Sequence, residues 1–252
     1  MFKDLHRKKQ PLVICNVWDV SSALVAEQKG FEAIGTSSAA IAKILGKDDG
    51  ENVLFEELLS IVAAISNLSS LPVTVDLESG YGDSPEVIAK NISELAKVGV
   101  VGVNIEDSKV IHGERLLSDA IEFANKLKSI KTLLHKMNIT MFVNVRSDTY
   151  LLNIDNTLEV SIKRIEMYQR AGADGIFLPC IKTPDDIKAV VANTKVPINV
   201  MCVPELPDFD TLEELGVKRI SMGNFLHEAM LDSFSSMLSA IVAEKSFERL
   251  FR

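Results

Sequence analysis

The sequence predicts an α/β protein folded as a (β/α)8 TIM barrel, on three observations. Short runs rich in β-branched residues recur along the whole chain, each followed by a stretch with apolar residues at helical spacing. Eight such units fill 252 residues, a length at which single eight-fold barrels ordinarily occur. No G-x-G-x-x-G or P-loop follows any of the strands, which sets the open doubly wound sheet behind the barrel. No linker, low-complexity tract or shift in composition divides the chain, so residues 1–252 are expected to form one domain.

The strands are read at Leu12–Val17, Ala33–Thr36, Val73–Leu77, Val101–Ile105, Thr140–Val145, Gly175–Leu178, Ile198–Cys202 and Arg219–Met222. Between them, Ile88, Ile92, Leu95 and Ala96 recur at helical spacing, as do Leu158, Ile162 and Ile165. Ser84-Pro85-Glu86 and Thr183-Pro184-Asp185 each offer an N-cap followed by proline in the first helical turn. Gly30, Gly99, Gly172 and Gly216 each stand where a helix must end before the next strand.

Composition excludes several classes of function. With 47% apolar and 25% charged residues the chain is too apolar for disorder, and no run of about 18 apolar residues predicts a membrane span. A formal charge of −8 without a basic cluster argues against nucleic acid. Met1–Gln10 is polar and basic without an apolar signal core, and Cys15, Cys180 and Cys202 are odd in number and widely spaced. A cytoplasmic protein with cysteines packed in apolar strand runs is therefore expected.

Alternation along the strands tells which side chains enter the barrel mouth. Val73, Val75 and Leu77 face the helices, leaving Thr74, Asp76 and Glu78 inward. On the next strand Asn104 and Glu106 face in, and on the fifth Asn144, Arg146 and Asp148 do so, while the first adds Asn16 and Trp18. Carboxylates so crowded repel unless a cation or proton intervenes, and Mg²⁺ with its waters would resolve the repulsion. The competing reading is that Asp76, Glu78 and Glu106 cap turns or pair with Arg146 and lysines. His112 lies in the loop Ser108–Leu117 after Glu106, as a proton donor for the mouth or as a solvated loop residue. His6, His135 and His227 read as surface or packing residues.

Taken in order, these strand ends resemble the isocitrate lyase and phosphoenolpyruvate mutase superfamily from about Val13 to Ala229. Val75-Asp76-Leu77-Glu78-Ser79-Gly80-Tyr81-Gly82 is similar to its D-x-[DE]-x-G-[YF]-G signature, whose acidic residues hold Mg²⁺ directly or through water. The resemblance places Glu106, within Gly102–Asp107, and Asp49, within Gly46–Gly50, in the same metal shell. It implies that Arg146, in Asn144–Asp148, contacts a substrate carboxylate, and that Ser37, Ser38 and Ala39 bind the 2-oxo acid through a serine and backbone N–H groups. Trp18 joins them at the mouth. The activity implied by the resemblance is Mg²⁺-dependent formation or protonation of a pyruvate-type enolate, with Mn²⁺ as a substitute, in a lyase or mutase that breaks a C–C or C–P bond.

The chain departs from the lyases at Ser108–Arg115, where their K-[KR]-C-G-H loop carries an acid–base cysteine and this sequence has none. Lys109 and His112 are the candidates left in that stretch, Lys109 as a cation. Leu178-Pro179-Cys180 likewise lacks the lyases' glutamate, which favours a smaller, less charged leaving group. The altered loop also leaves open a barrel that binds Mg²⁺ and a 2-oxo acid without turnover. A Schiff-base aldolase is disfavoured because no strand presents an inward lysine at its carboxyl end. After Gly223 the chain is helical and apolar, and the resemblance implies a C-terminal helix exchanged between subunits of a homodimer or homotetramer.

Overall fold

The computed structural model describes residues 2–251. The strands are β1 (Leu12–Val13), β2 (Cys15–Val17), β3 (Ile34–Thr36), β4 (Val73–Asp76), β5 (Val100–Glu106), β6 (Ser108–Ile111), β7 (Glu114–Leu117), β8 (Phe142–Arg146), β9 (Gly175–Leu178), β10 (Ile198–Met201) and β11 (Arg219–Ser221). The helices are α1 (Phe2–Leu5), α2 (Val20–Gln28), α3 (Ser38–Ile44), α4 (Phe55–Leu68), α5 (Pro85–Lys97), α6 (Ala120–Lys136), α7 (Thr157–Ala171), α8 (Pro184–Ala192), α9 (Phe209–Glu214) and α10 (Phe225–Glu244). The main sheet runs β1-β11-β10-β9-β8-β5-β4-β3-β2, with every pair parallel. Only Ile14 separates β1 from β2, so the two ends of this order are one interrupted strand and the sheet closes on itself. The predicted barrel is the observed one.

The outward alternation buries Val73, Val75, Leu77, Val103, Ile105, Val143 and Val145 between sheet and helices. Ser84 caps α5 by accepting from the Val87 N–H at 3.3 Å. Thr183, expected to do the same for α8, makes no side-chain cap bond, and Pro184 alone marks that start. Cys15 is buried in β2, but Cys180 and Cys202 lie just past β9 and β10 and are half-buried, not within the strands as expected. Inside the barrel, Asn144 donates to Asn104 at 2.9 Å and to Asn199 at 3.1 Å, and Asn199 donates to Ser221 at 3.1 Å. This amide ladder pins β5, β8, β10 and β11 in register beneath the mouth.

The floor is closed by α1. The Phe2 ring meets Phe142 edge-on at 5.5 Å, and the His6 ring stacks on Phe142 at 4.4 Å. Gly102 permits this, since a Cβ there would come 3.1 Å from Thr74 and 3.3 Å from Phe2. Both His6 nitrogens are buried without a partner, and desolvation, with the nearby Arg219 charge, pushes its pKa down to about 4.

The largest difference from the sequence reading lies after β5. Ser108–Leu117, expected as a loop, is an antiparallel hairpin of β6 and β7 with Ile111 opposite Glu114. Its two-residue turn, His112-Gly113, takes positive φ at both positions (52° and 82°), as a type I′ connection requires. The hairpin packs against the β3–β4 connection at Gly50 (φ 99°), where a Cβ would come 2.8 Å from Val110. Among the described residues no helix is long and apolar enough to cross a membrane.

Candidate active site

The carboxyl ends of the strands open on a cavity of about 230 Å³ lined by Asn16, Thr36, Ser37, Ser38, Ala39, Asp49, Asp76, Asn104, Arg115 and Arg146, with Leu151, Phe177, Pro179, Met201, Ser221, Gly223 and Asn224 completing the wall. This is small for a ligand pocket and suits a molecule of a few heavy atoms. Asp76 ends β4, and its backbone N–H donates to Thr36 Oγ1 at 3.0 Å. One carboxylate oxygen, Oδ2, accepts from Ser38 Oγ at 2.8 Å, whereas Oδ1 is buried and has no partner. Burial raises the Asp76 pKa against the pull of Arg146. Ser37 caps α3, accepting from the Ala40 N–H at 3.3 Å, so Ser38 and Ala39 stand in a first turn whose N–H groups lack intrahelical partners.

Arg146 ends β8 opposite Glu106 on one side and Phe177 on the other. Its guanidinium donates to Asp148 from Nε at 2.6 Å and from Nη2 at 3.2 Å, and its Nη1 lies 3.1 Å from Glu106 Oε2. Arg115, carried in by β7, adds a second guanidinium: Nη1 pairs with Glu106 Oε1, sits 3.2 Å from Asp148, and Nη2 is 3.6 Å from Asp49. Glu106 is raised by desolvation, with both arginines pulling it back. Glu78 is pushed up to about 8 by desolvation first and then by Asp49, Asp76 and Glu106.

The residues singled out in the sequence thus divide. Asp76, Asp49, Arg146, Ser37, Ser38 and Ala39 share the main cavity. Glu78 and Glu106 line a neighbouring cavity of about 190 Å³ with Glu51 and Lys109, and Glu78 accepts from the Glu51 N–H at 2.6 Å and from Tyr81 at 3.0 Å. Lys109 is turned to Asp83, 2.5 Å away. His112 stands exposed at the hairpin turn, outside both cavities. Trp18 does not line the mouth: β2 ends at Val17, Asp19 caps α2, and the indole packs edge-on against His227 at 4.7 Å. Among the described residues no three His, Cys, Asp or Glu side chains form a ready-made metal cage. The donor chemistry nonetheless fits a hydrated divalent cation. Asp76 Oδ1 is a carboxylate oxygen without a proton donor, and burial first, then the neighbouring acids, keep Glu78 protonated to unusually high pH.

Arg115 went unnoticed in the sequence because a loop gives no side-chain direction. The signal was present in two four-residue β-type runs around a His-Gly turn.

A closed parallel barrel with acidic and guanidinium side chains gathered at the carboxyl ends of its strands is a TIM barrel with its site where enzymes of this fold carry theirs. The model of the phosphoenolpyruvate phosphomutase family matches residues 2–242, and the chain belongs to that family. An uncharacterized protein of Mycobacterium tuberculosis is 38% identical over 230 residues, 91% of this chain and 84% of its own length. An oxaloacetate decarboxylase of Rhodopseudomonas palustris is 34% identical over 237 residues, covering 90% of this chain and 78% of its own. Among solved structures, a Burkholderia cenocepacia protein described as a candidate phosphonomutase superposes with a TM-score of 0.88 at 35% identity, over 94% of this chain and 97% of that one. These likenesses favour a working lyase or mutase over a barrel that only binds.

Proposed function

We propose that the protein is a Mg²⁺-dependent lyase or mutase that forms or protonates the enolate of a small 2-oxo carboxylate, with Mn²⁺ able to replace Mg²⁺. The observation that carries this reading is Asp76, with one oxygen held by Ser38 and the other partnerless, in the cavity that Arg146 lines. In it Asp76 would hold the cation, with Asp49, Glu78 and Glu106 as the further acids of its shell. The cation, when bound, withdraws charge from a developing enolate.

The protein's own groups do the rest. Arg146, locked by Asp148 and Glu106, presents a fixed positive charge to the substrate carboxylate, and the Ser38 and Ala39 amides complete the grip. Because Asp148 and Glu106 hold the guanidinium before substrate arrives, little reorganisation accompanies binding. Arg115 pairs with Glu106 and Asp148 from the hairpin side, which offsets the repulsion between the two acids. Lys109 and His112 reach the mouth only if the hairpin moves.

The exposed apolar residues of α10, among them Met230, Phe234, Met237, Leu238 and Val242, support a helix that packs on a second copy, as dimer or tetramer. Three free cysteines are in keeping with a cytoplasmic enzyme.

Hydrogen exchange tests the enolate without assuming a leaving group. With Mg²⁺ in D₂O, the pyruvate methyl signal followed by NMR should decay faster than with Mg²⁺ alone, and a chelator should stop the effect. Exchange no faster than the metal control would remove the proposal.

A further inference from the structure

Arg219 opens β11 between Leu12 of β1 and Asn199 of β10, and its side chain shares the inward face with Ser221 two residues on. The residue is 2% exposed. Its Nη2 donates to Thr74 Oγ1 at 3.3 Å, while Nε and Nη1 are buried without a partner in the protein. The inward amides do not supply one, because the oxygens of Asn104 and Asn199 accept from Asn144 at 2.9 and 3.1 Å. His6, whose pKa is down at about 4, adds no second charge at neutral pH. A buried guanidinium without an ion pair is costly to fold around, and packing alone would be better served by an apolar side chain of similar length.

The carboxylate that acts on this guanidinium is Asp76, two residues beyond Thr74 on β4 and on the same face. Burial pushes the Arg219 pKa down to about 10, and Asp76 pulls against it, so the side chain is a cation at neutral pH. Two residues of strand span about 7 Å, too far for an ion pair but close for a field in an interior where water screens little. The neighbours of Thr74 in register, Gly35 and Gly102, have no side chains to stand beside it at that level of the barrel.

We propose that Arg219 is a positioning residue that acts on the mouth through its field: from inside the barrel it disfavours a lone divalent cation at Asp76, favours a lone anion, and is indifferent to a neutral pair of the two. The inference rests on the enolate reading above. The signs follow from Coulomb's law. A lone divalent cation brings two positive charges toward the guanidinium, and a dianion such as oxalate brings two negative ones. Together they bring none. The cation is therefore held loosely until an anionic substrate arrives, and the acids at the mouth do not fill with metal ahead of it.

The test compares the full wild-type chain with Arg219→Met, which removes the charge and keeps an unbranched side chain. Mn²⁺ binding is followed by electron paramagnetic resonance, and oxalate binding to the Mn²⁺-saturated protein by calorimetry. In the variant, Mn²⁺ alone should bind about tenfold more tightly and oxalate about tenfold more weakly, with the product of the two Kd values within about threefold of wild type. The midpoint of chemical denaturation should be equal to or above that of wild type. Should the methionine variant fail to fold, Arg219→Gln should move both constants in the same directions. Weaker Mn²⁺ binding, or two constants unmoved in a folded variant, overturns the inference and leaves the enolate reading standing. So does a parallel loss of both ligands with a lowered midpoint, which would make Arg219 a scaffold residue. Failure of the wild type itself to bind Mn²⁺ and oxalate would instead remove the enolate reading, and this inference with it.

Discussion

The two halves of the barrel mouth are built from the same kind of strand and differ in what they ask of their surroundings. On β4, β5 and β8 the inward residues at the carboxyl end are charged, and each is held by a neighbour: Asp76 by Ser38, Glu106 by Arg146 and Arg115, Arg146 by Asp148. On β9 and β10 the inward residues Phe177 and Met201 need no partner at all. The charged half is therefore rigid through ion pairs whose partial loss is costly, and the apolar half owes its form to packing alone. Ser221 and Asn224 complete the wall beside Met201.

Substitutions probe this contrast, in descending order of expected effect. Asp76→Ala should lower kcat/KM by roughly 10³-fold, the several kcal/mol that a catalytic cation supplies. A loss below tenfold in steady-state assays would detach Asp76 from the chemistry. Arg115→Met leaves the buried Glu106 and Asp148 with one cation fewer, and chemical denaturation should show a loss of about 3 kcal/mol. An unchanged midpoint would mean that Arg146 alone suffices.

Acid stability should carry a contribution from the floor of the barrel. His6, beside Arg219 and within reach of Asp174, has its pKa depressed to about 4 from 6.5, so the unfolded chain binds the extra proton between those values. The His6 contribution is then full above pH 6.5 and falls as the pH drops toward 4, by up to about 3 kcal/mol. His6→Phe should flatten denaturation midpoints across that window, and an identical acid limb would place the sensitivity elsewhere. Arg146→Lys replaces a fork by a point charge and should reduce kcat/KM about 10²-fold, mainly through KM. Equal activity would make Arg146 a scaffold residue. His112→Ala, at the exposed turn, should change kcat by no more than about twofold; a larger loss would show that the hairpin closes during turnover.

How much of this was legible in the sequence depended on whether a residue still lay on a strand. Asp76 and Arg146 end β4 and β8, so alternation placed them correctly in the mouth. Glu78 and Trp18 were extrapolated past strand ends. The chain turns at Glu78 (φ 48°), which carries its carboxylate into the neighbouring cavity, and Trp18 leaves the barrel as Asp19 begins α2. The apolar half was unread for another reason: Phe177 and Met201 look like any core residue until the barrel closes and shows which face they share. The fold itself was legible because β-branched runs, helix caps and terminal glycines all agreed on the same eight units.

The most direct test of the account is the linkage between the cation and an enolate mimic. Mn²⁺ binding, followed by electron paramagnetic resonance with and without oxalate, should tighten at least tenfold when oxalate is present, and oxalate should tighten reciprocally with Mn²⁺. Asp76→Ala should abolish both effects. Mn²⁺ and oxalate binding independently of one another would contradict a shared site at Asp76 and, with it, the metal-assisted enolate.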